Sequence, residues 1–292
     1  METGAPTTPR TRRMASGSRL RDRIAGGLAF GVLLVLAILW LVPLAWAVDT
    51  ALKPESETIA IPVSWVSSNF NLDAFGQVLE AGNILRWYFN STLTSVIITV
   101  LVVLLASLAA YSFSRVPFRG SGVLFWVVLA GIMIPPQILI VPLFTEMDSF
   151  GFINTYQGII LPQIASPIAV FIFKQFFDGL PSELEDAALV DGASRFRIYW
   201  QIYLPLSRPA MAAVAIFTFV ISWNYWLWPF IALTGTNMMT IPVGLATVQS
   251  AYGIHNAQIM ASAVLGGLPL LIVFLFFQRQ IVQGIAGTGL KG

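Results

Sequence analysis

The sequence predicts an all-α integral membrane protein with six transmembrane helices and both termini in the cytoplasm. Three observations carry this reading. The 292-residue chain is 57% hydrophobic and only 10% charged, whereas about a quarter of the residues of a soluble domain carry charge. Apolar runs recur along it, each near the ~20 helical residues that cross a hydrocarbon core of about 30 Å. Of the 16 Lys and Arg residues, only Lys53 and Arg86 fall in segments that this division places outside, as retention of positive charge on the cytoplasmic side requires.

Residues 1–23 hold Arg10, Arg12, Arg13, Arg19, Arg21 and Arg23 among Thr, Ser, Gly and Pro, which predicts a disordered basic cytoplasmic tail. Ile24–Val48 is span one. Its basic approach and Ala45-Trp46-Ala47 also fit a cleavable signal peptide, although the run exceeds the ~7 to 15 apolar residues of a signal core. Asp49–Trp87, with Lys53, Glu55, Glu57, Asp73 and Glu80, belongs in water on the far side. Tyr88–Ser114 is span two, and Ser114–Gly120 is a return loop carrying Arg115 and Arg119. Span three, Ser121–Phe144, contains Pro135-Pro136, whose missing amides kink or end a helix. Thr145–Tyr156 is external, Gln157–Phe177 is span four, and 178–209 is a cytoplasmic loop. Ala210–Ala232 is span five, Leu233–Ala257 an outer loop and Gln258–Phe277 span six, so the transmembrane domain occupies 24–281. Residues 282–292 form a cytoplasmic tail too short and Gly-rich for a domain.

Pro181–Pro209 is the one long polar stretch with helical patterning. Ser182 followed by Glu185 matches a capping box, which predicts a helix start. Asp191-Gly192 supplies the stop, because Gly tolerates the left-handed conformation, and Ser194 is placed to cap a second helix. There Phe196, Tyr199, Trp200 and Tyr203 recur at helical spacing and share a face, until Pro205 and Pro209 end it. Pattern alone leaves open an amphipathic loop resting on lipid headgroups.

The residues exclude several chemistries. None of the three lysines, Lys53, Lys174 and Lys291, follows a glycine, so there is no phosphate-cradling P-loop. All 14 Asp and Glu lie in loops or tails, away from the intramembrane positions that proton coupling uses. The single His, His255, reads as a solvated loop residue and cannot form H-E-x-x-H; no Cys is present to ligate metal or act as nucleophile. Coupling to sodium through backbone carbonyls remains open. Otherwise the energy for transport must arrive through a partner, and a cytoplasmic knob is where it would push.

Asp186-Ala187-Ala188, then Gly192, then Ile202-x-Leu204-Pro205 resembles the EAA loop of ABC importer permeases. Asn90-Ser91, Ala109-Ala110-Tyr111, Pro135-Pro136, Asn154-Thr155-Tyr156, Ser222-Trp223-Asn224 with Leu227-Trp228-Pro229, Gln278-Arg279 and Lys291-Gly292 extend the likeness over about Ile24–Gly292. On these residues the chain resembles permease subunits of the maltose, or carbohydrate importer, type. The resemblance implies the type I importer permease fold in a bacterial inner membrane. Asp186 stands where the motif has Glu, Tyr225 where relatives often carry an acid, and the C-terminal tail shifts its Thr and Gly.

The resemblance further implies a non-enzymatic translocation subunit, without cofactor of its own, since ATP and Mg belong to a partner ATPase dimer. Other implied partners are a second permease, an extracytoplasmic sugar-binding protein, the sugar and membrane lipid; no nucleic acid is implied. Glu185, Asp186, Ala187, Ala188, Asp191, Gly192, Phe196, Leu204 and Pro205 are the expected ATPase-coupling residues. Thr234, Gly235, Thr236 and Asn237 correspond to a segment entering the binding protein. Asn90, Thr94, Gln137, Gln163, Ser222, Trp223 and Asn224 are candidates to line the pathway, because neutral amides and hydroxyls exchange hydrogen bonds with a polyol without desolvating a charge. Trp223, Tyr225, Trp226 and Trp228 fit an interfacial aromatic belt better than sugar stacking, and the span-two Thr residues fit helix-to-helix hydrogen bonding better than substrate contact. A secondary transporter of small polar solutes and a non-transporting membrane scaffold are the alternative functions.

Overall fold

A computed structural model describes residues 15–62, 64–252 and 255–289. Helix α1 (Ala15–Ala51) is followed by short α2 (Glu55–Thr58) and α3 (Asp73–Ala81), then by α4 (Ile84–Arg115). Next come α5 (Ser121–Ala130), α6 (Ile140–Ser149), α7 (Tyr156–Ile160) and α8 (Pro167–Asp178). The polar loop contributes α9 (Glu183–Val190), α10 (Arg195–Ile198) and α11 (Leu204–Leu206). The chain finishes with α12 (Arg208–Asn224), α13 (Leu227–Ala232), α14 (Ile241–Tyr252) and α15 (Asn256–Gly289).

Three stretches, Ile24–Ala51, Ile84–Arg115 and Asn256–Gln278, are long and apolar enough to cross a membrane unaided, and three bent pairs raise the number to six if each is one span. The break at Pro135-Pro136 is a 93° turn between Ser121–Met133 and Pro136–Ser149. A further break, of 46°, separates Tyr156–Gln163 from Pro167–Asp178, where Pro167 cannot donate to the preceding turn.

Two expectations are corrected, one about the N-terminal tail and one about the outer segment after α13. Helix α1 already begins at Ala15, inside the segment read as disordered, while residues 1–14 lie outside the described residues. At the other end α15 carries the chain in helical form to Gly289, and Lys291-Gly292 lies outside them. The outer segment 233–257 is no simple loop, because α14 buries Ile241, Val243 and Leu245. Gly244 lies so close to Trp87 that a Cβ there would stand 2.2 Å from the indole. Only a helix with no side chain at that point could approach α4 so closely.

Packing forms two main cores. One joins α4, α8, α10, the turn that follows it and α12 through Ile98, Val102, Phe173, Phe177, Ile198, Tyr199, Tyr203 and Val214. The other, at the end away from the polar loop, gathers Val78, Ile84, Trp87, Trp223, Ile241 and Ala261. Lipid tails are as apolar as Leu, so in a bilayer these contacts stabilise through close packing and hydrogen bonds rather than release of water. Most of α1 remains exposed, with Trp40 80% accessible, as suits a surface facing lipid or another subunit.

The segment after α1 is folded by its carboxylates. Lys53 pairs with Asp49 at 2.6 Å, Asp49 accepts from the Ser67 amide, and Glu57 accepts from the Ser67 and Ser68 hydroxyls. Glu55 accepts the amides of Asn256 and Ala257 at 2.8 and 3.0 Å, placing a negative charge at the N-terminus of α15 where the helix dipole favours it.

Candidate functional site

The knob is built on an elbow at Gly192, whose φ of +77° is open to Gly at little cost. The Gly192 amide donates to the Leu189 carbonyl and the Ala193 amide to the Ala188 carbonyl, the paired bonds of a Schellman stop. Ser194 then caps α10 by accepting from the Arg197 amide.

At the start of α9 the capping box does not form. Ser182 is itself helical and makes no side-chain cap; its carbonyl accepts from the amides of Glu185 and Asp186. Glu185 instead turns inward, 6% exposed, and accepts from Arg195 Nη1 at 2.5 Å and from the Tyr203 hydroxyl at 3.3 Å. Both an amide and a guanidinium can donate to this carboxylate, but only the guanidinium also brings the opposite charge that an inward-turned carboxylate requires. Burial pushes the Tyr203 phenol up to about 12, so it remains a protonated donor.

Arg195 continues the link, donating to the carbonyl of Arg115, the last residue of α4, at 2.9 Å. Arg115 in turn donates to the carbonyls of Phe177 in the last turn of α8 and Leu180 just beyond it, with its guanidinium 5.3 Å over the Tyr203 ring. Cations at helix C-termini satisfy carbonyls that the helix leaves without partners. Below this layer, Tyr111 packs 5.1 Å from Tyr203 and 5.5 Å from Tyr199, and the Tyr199 and Ser107 hydroxyls lie 2.8 Å apart. The knob is thus bolted to the ends of α4 and α8.

The aromatic stripe splits. Tyr199 and Tyr203 are buried, while Phe196 and Trp200 are 67% and 53% exposed and stacked together. Asp186, Ala187 and Asp191 share this exposure, as does Val190 at 88%; Ala188 and Leu204 contact the core instead. Pro205 does not end the helix. Tyr199–Tyr203 widens into a π turn ahead of it, which removes the clash of the proline ring with the carbonyl four residues back. The break falls at Ser207, where the chain bends by 77°, and Pro209 opens α12 in the first-turn position that suits a residue with no amide proton.

At the far end the segment Thr234–Asn237 is clamped by its backbone. Asn154, at φ +59°, accepts from the amides of Thr234 and Gly235 at 3.2 and 2.9 Å. Trp87 donates to the Thr236 carbonyl, and Asn90 donates to the carbonyls of Asn237 and Met239. The side chains of Thr234, Thr236 and Asn237 stay exposed.

This clamp changes the account of the expected pathway residues. Asn90 is fully buried and spends its remaining oxygen on the Tyr156 hydroxyl at 2.7 Å, so it pins the outer segment rather than lining an opening. Thr94 bonds the Asn90 carbonyl within its own helix, not a neighbouring helix. Gln163 likewise bonds the Ile159 carbonyl four residues back, and Gln137 is exposed at the α5–α6 break. Trp223 and Trp228 are buried, with indole N–H groups donating to the carbonyls of Gly266 and Gly158, so neither belongs to an interfacial belt; Trp226 is exposed and stacks on Phe230.

Ser222 is half-buried beside this group. Trp223 and Asn224 do border a cavity of about 320 Å³ between α12, α14 and α15, with Ser262 and Gly266 on its other wall. The buried Ser262 hydroxyl has no hydrogen-bond partner among the described residues. Sequence reasoning missed Ser262, Asn154, Arg115 and Arg195; of these only Asn154 carried a local signal, as an Asn before a Thr-capped helix. Among the described residues no cluster of His, Cys, Asp and Glu could hold a metal ion.

Known proteins share this architecture. A family model described as "Binding-protein-dependent transport system inner membrane component" matches residues 102–287. The arabinooligosaccharides transport system permease protein AraQ of Halalkalibacterium halodurans is 38% identical over 260 residues, 88% of this chain and 93% of the relative. The diacetylchitobiose uptake system permease protein NgcG of Streptomyces coelicolor is 32% identical over 278 residues, 94% and 92% of the two chains. A crystal structure of a bacterial ABC transporter involved in import of the acidic polysaccharide alginate aligns with a TM-score of 0.77 at 20% identity, covering 94% of this chain and 99% of that one.

Proposed function

This chain belongs to the family of binding-protein-dependent transport system inner membrane components, and from that membership we propose that it is a permease subunit of an ATP-driven carbohydrate importer. The knob and both termini face the cytoplasm. A partner ATPase dimer, which holds the ATP and Mg, docks on the exposed face of α9 and α10, presenting Asp186, Ala187, Val190 and Phe196. A second permease completes the pathway, and an extracytoplasmic binding protein delivers sugar to the Thr234–Asn237 side.

One observation carries the coupling role: the exposed face is rigidly tied to transmembrane helices through charged bonds. Displacement of α9 passes through Glu185 and Arg195 to the end of α4, and through Arg115 to the end of α8. A loop resting on headgroups has no need of such links. Carbohydrate as substrate rests on the named sugars of the relatives and on the neutral polar lining of the cavity beside Asn224 and Ser262. Purification of the complex from native membranes should bring an ATPase, a permease and a binding protein with this chain, and sugar uptake in vesicles should follow internal ATP. Uptake that tracks an ion gradient and persists without any ATPase subunit would overturn the reading.

A further inference from the structure

The segment that leaves α1 turns large apolar side chains outward. Ile59, Ile61, Trp65 and Val66 stand 69–95% exposed, and closely spaced apolar exposure of this kind marks contact with a partner or a membrane. Slack in the chain does not explain it. The Ser64 carbonyl accepts from the Lys53 ammonium at 2.7 Å, the Ser67 amide donates to Asp49 at 3.0 Å, and Asp49 and Lys53 pair at 2.6 Å. Trp65 and Val66 are thus held between two ties to one ion pair at the end of α1.

Their depth follows from α1 itself. The apolar stretch that ends at Ala51 has 28 residues, about 42 Å at 1.5 Å per residue, against about 30 Å of hydrocarbon and 40–45 Å with the headgroup regions included. Its last turn therefore lies among headgroups, and Trp46 stands near their boundary with the acyl chains. Trp65 packs against Trp46 with ring centroids 5.8 Å apart. Having passed the end of α1, the chain comes back to the level of the boundary.

The surface of α1 indicates which neighbour covers it. Trp40, Leu41, Val42 and Pro43, a full turn just below Trp46, are all exposed. A docked subunit covers one side of such a turn and leaves the rest to acyl chains. Trp65 continues this surface at the depth where an indole, apolar with a single N–H donor, is favoured.

We propose that Ile61, Trp65 and Val66 form an interfacial anchor that dips into the bilayer leaflet on the side away from the knob. The Trp65 indole rests between headgroups and acyl chains, and the ties through Lys53 and Asp49 pass that fixed height to α1.

The chain has no cysteine, so Trp65→Cys in the full complex, with the other subunits made cysteine-free, carries one nitroxide per copy. The two ties keep the position in place without the indole. In reconstituted bilayers, power saturation should show this label relaxed more strongly by oxygen, which concentrates among acyl chains, than by a water-soluble nickel chelate. The order should reverse for Glu80→Cys, on the exposed side of α3. Stronger relaxation by nickel at position 65 would show a solvated loop, and weak relaxation by both agents would show a protein neighbour; either overturns the proposal. The unsubstituted complex supplies a test free of any replacement. Phospholipid carrying a diazirine at the top of its acyl chain should leave adducts on Trp65 as well as along α1, and labelling of α1 without Trp65 would equally overturn it.

Discussion

Arg195→Ala should destabilise this protein more than Glu185→Ala, although the two side chains share one bond. The Glu185 side chain is 9% exposed, whereas that of Arg195 is 39% exposed. Removing the arginine strands a carboxylate beside Tyr203 with no cation in hydrogen-bonding contact, and removing one member of a buried pair costs about 3–5 kcal/mol. It also frees the Arg115 carbonyl, a bond with a net contribution of about 1 kcal/mol. Loss of the glutamate is milder, because Arg195 can turn to water and keep its bond to α4. After that discount the effect is about 1–2 kcal/mol, chiefly the Tyr203 hydroxyl left without its acceptor. The double variant should cost less than the two singles together by about 1–3 kcal/mol. Equilibrium unfolding of the purified chain in mixed micelles measures all three. A reversed order, or strict additivity in the double variant, would refute the pairing and with it the path from knob to α4.

Three further outcomes follow from the geometry. Gly192→Val should impair coupling of ATPase to uptake more than Gly192→Asn; nothing crowds a Cβ there, so the difference is purely the cost of positive φ, about 1–2 kcal/mol for an ordinary residue. Gly244→Ala should lower stability by about 1–3 kcal/mol through overpacking against Trp87, and Trp87→Leu in the same chain should recover part of it, read by unfolding in micelles. Asn154→Ala releases the amides of Thr234 and Gly235, so stimulation of the reconstituted complex by its binding protein should fall while assembly, followed by size exclusion, is kept.

What was legible in the sequence was local. Span lengths, the proline break in span three, the Gly192 elbow and the Ser194 cap each depend on a few neighbouring residues and were readable as such. Helix α14 was not, because twelve residues are too few for a span and the surrounding polar residues suggest a loop. Glu185 illustrates the limit for the site. Its spacing from Ser182 is that of a capping box, but a guanidinium ten residues on and a phenol eighteen residues on compete better, and no periodicity encodes either. Asn90 shows the same for the pathway: an amide near a span terminus suits a sugar as well as it suits a carbonyl, and only the approach of Asn237 and Met239 decides. The split of the aromatic stripe depends on the π turn ahead of Pro205, which the local sequence permits without demanding.

The central claim is that the exposed face of α9 receives the force of a partner ATPase, and Asp186 tests it most directly. This carboxylate is exposed and forms no ion pair within the chain among the described residues, so changes there leave the fold of the knob intact. Sugar-stimulated ATPase and uptake are measured together in the reconstituted complex for Asp186→Lys and Asp186→Glu. A charge pair buried at the docking interface is worth about 2–5 kcal/mol when one partner is lost, against under about 1 kcal/mol for a rim charge. Asp186→Lys should therefore abolish coupled uptake while Asp186→Glu retains it. Wild-type uptake and stimulation in Asp186→Lys would show that the knob is an ordinary surface loop and that no partner pushes there.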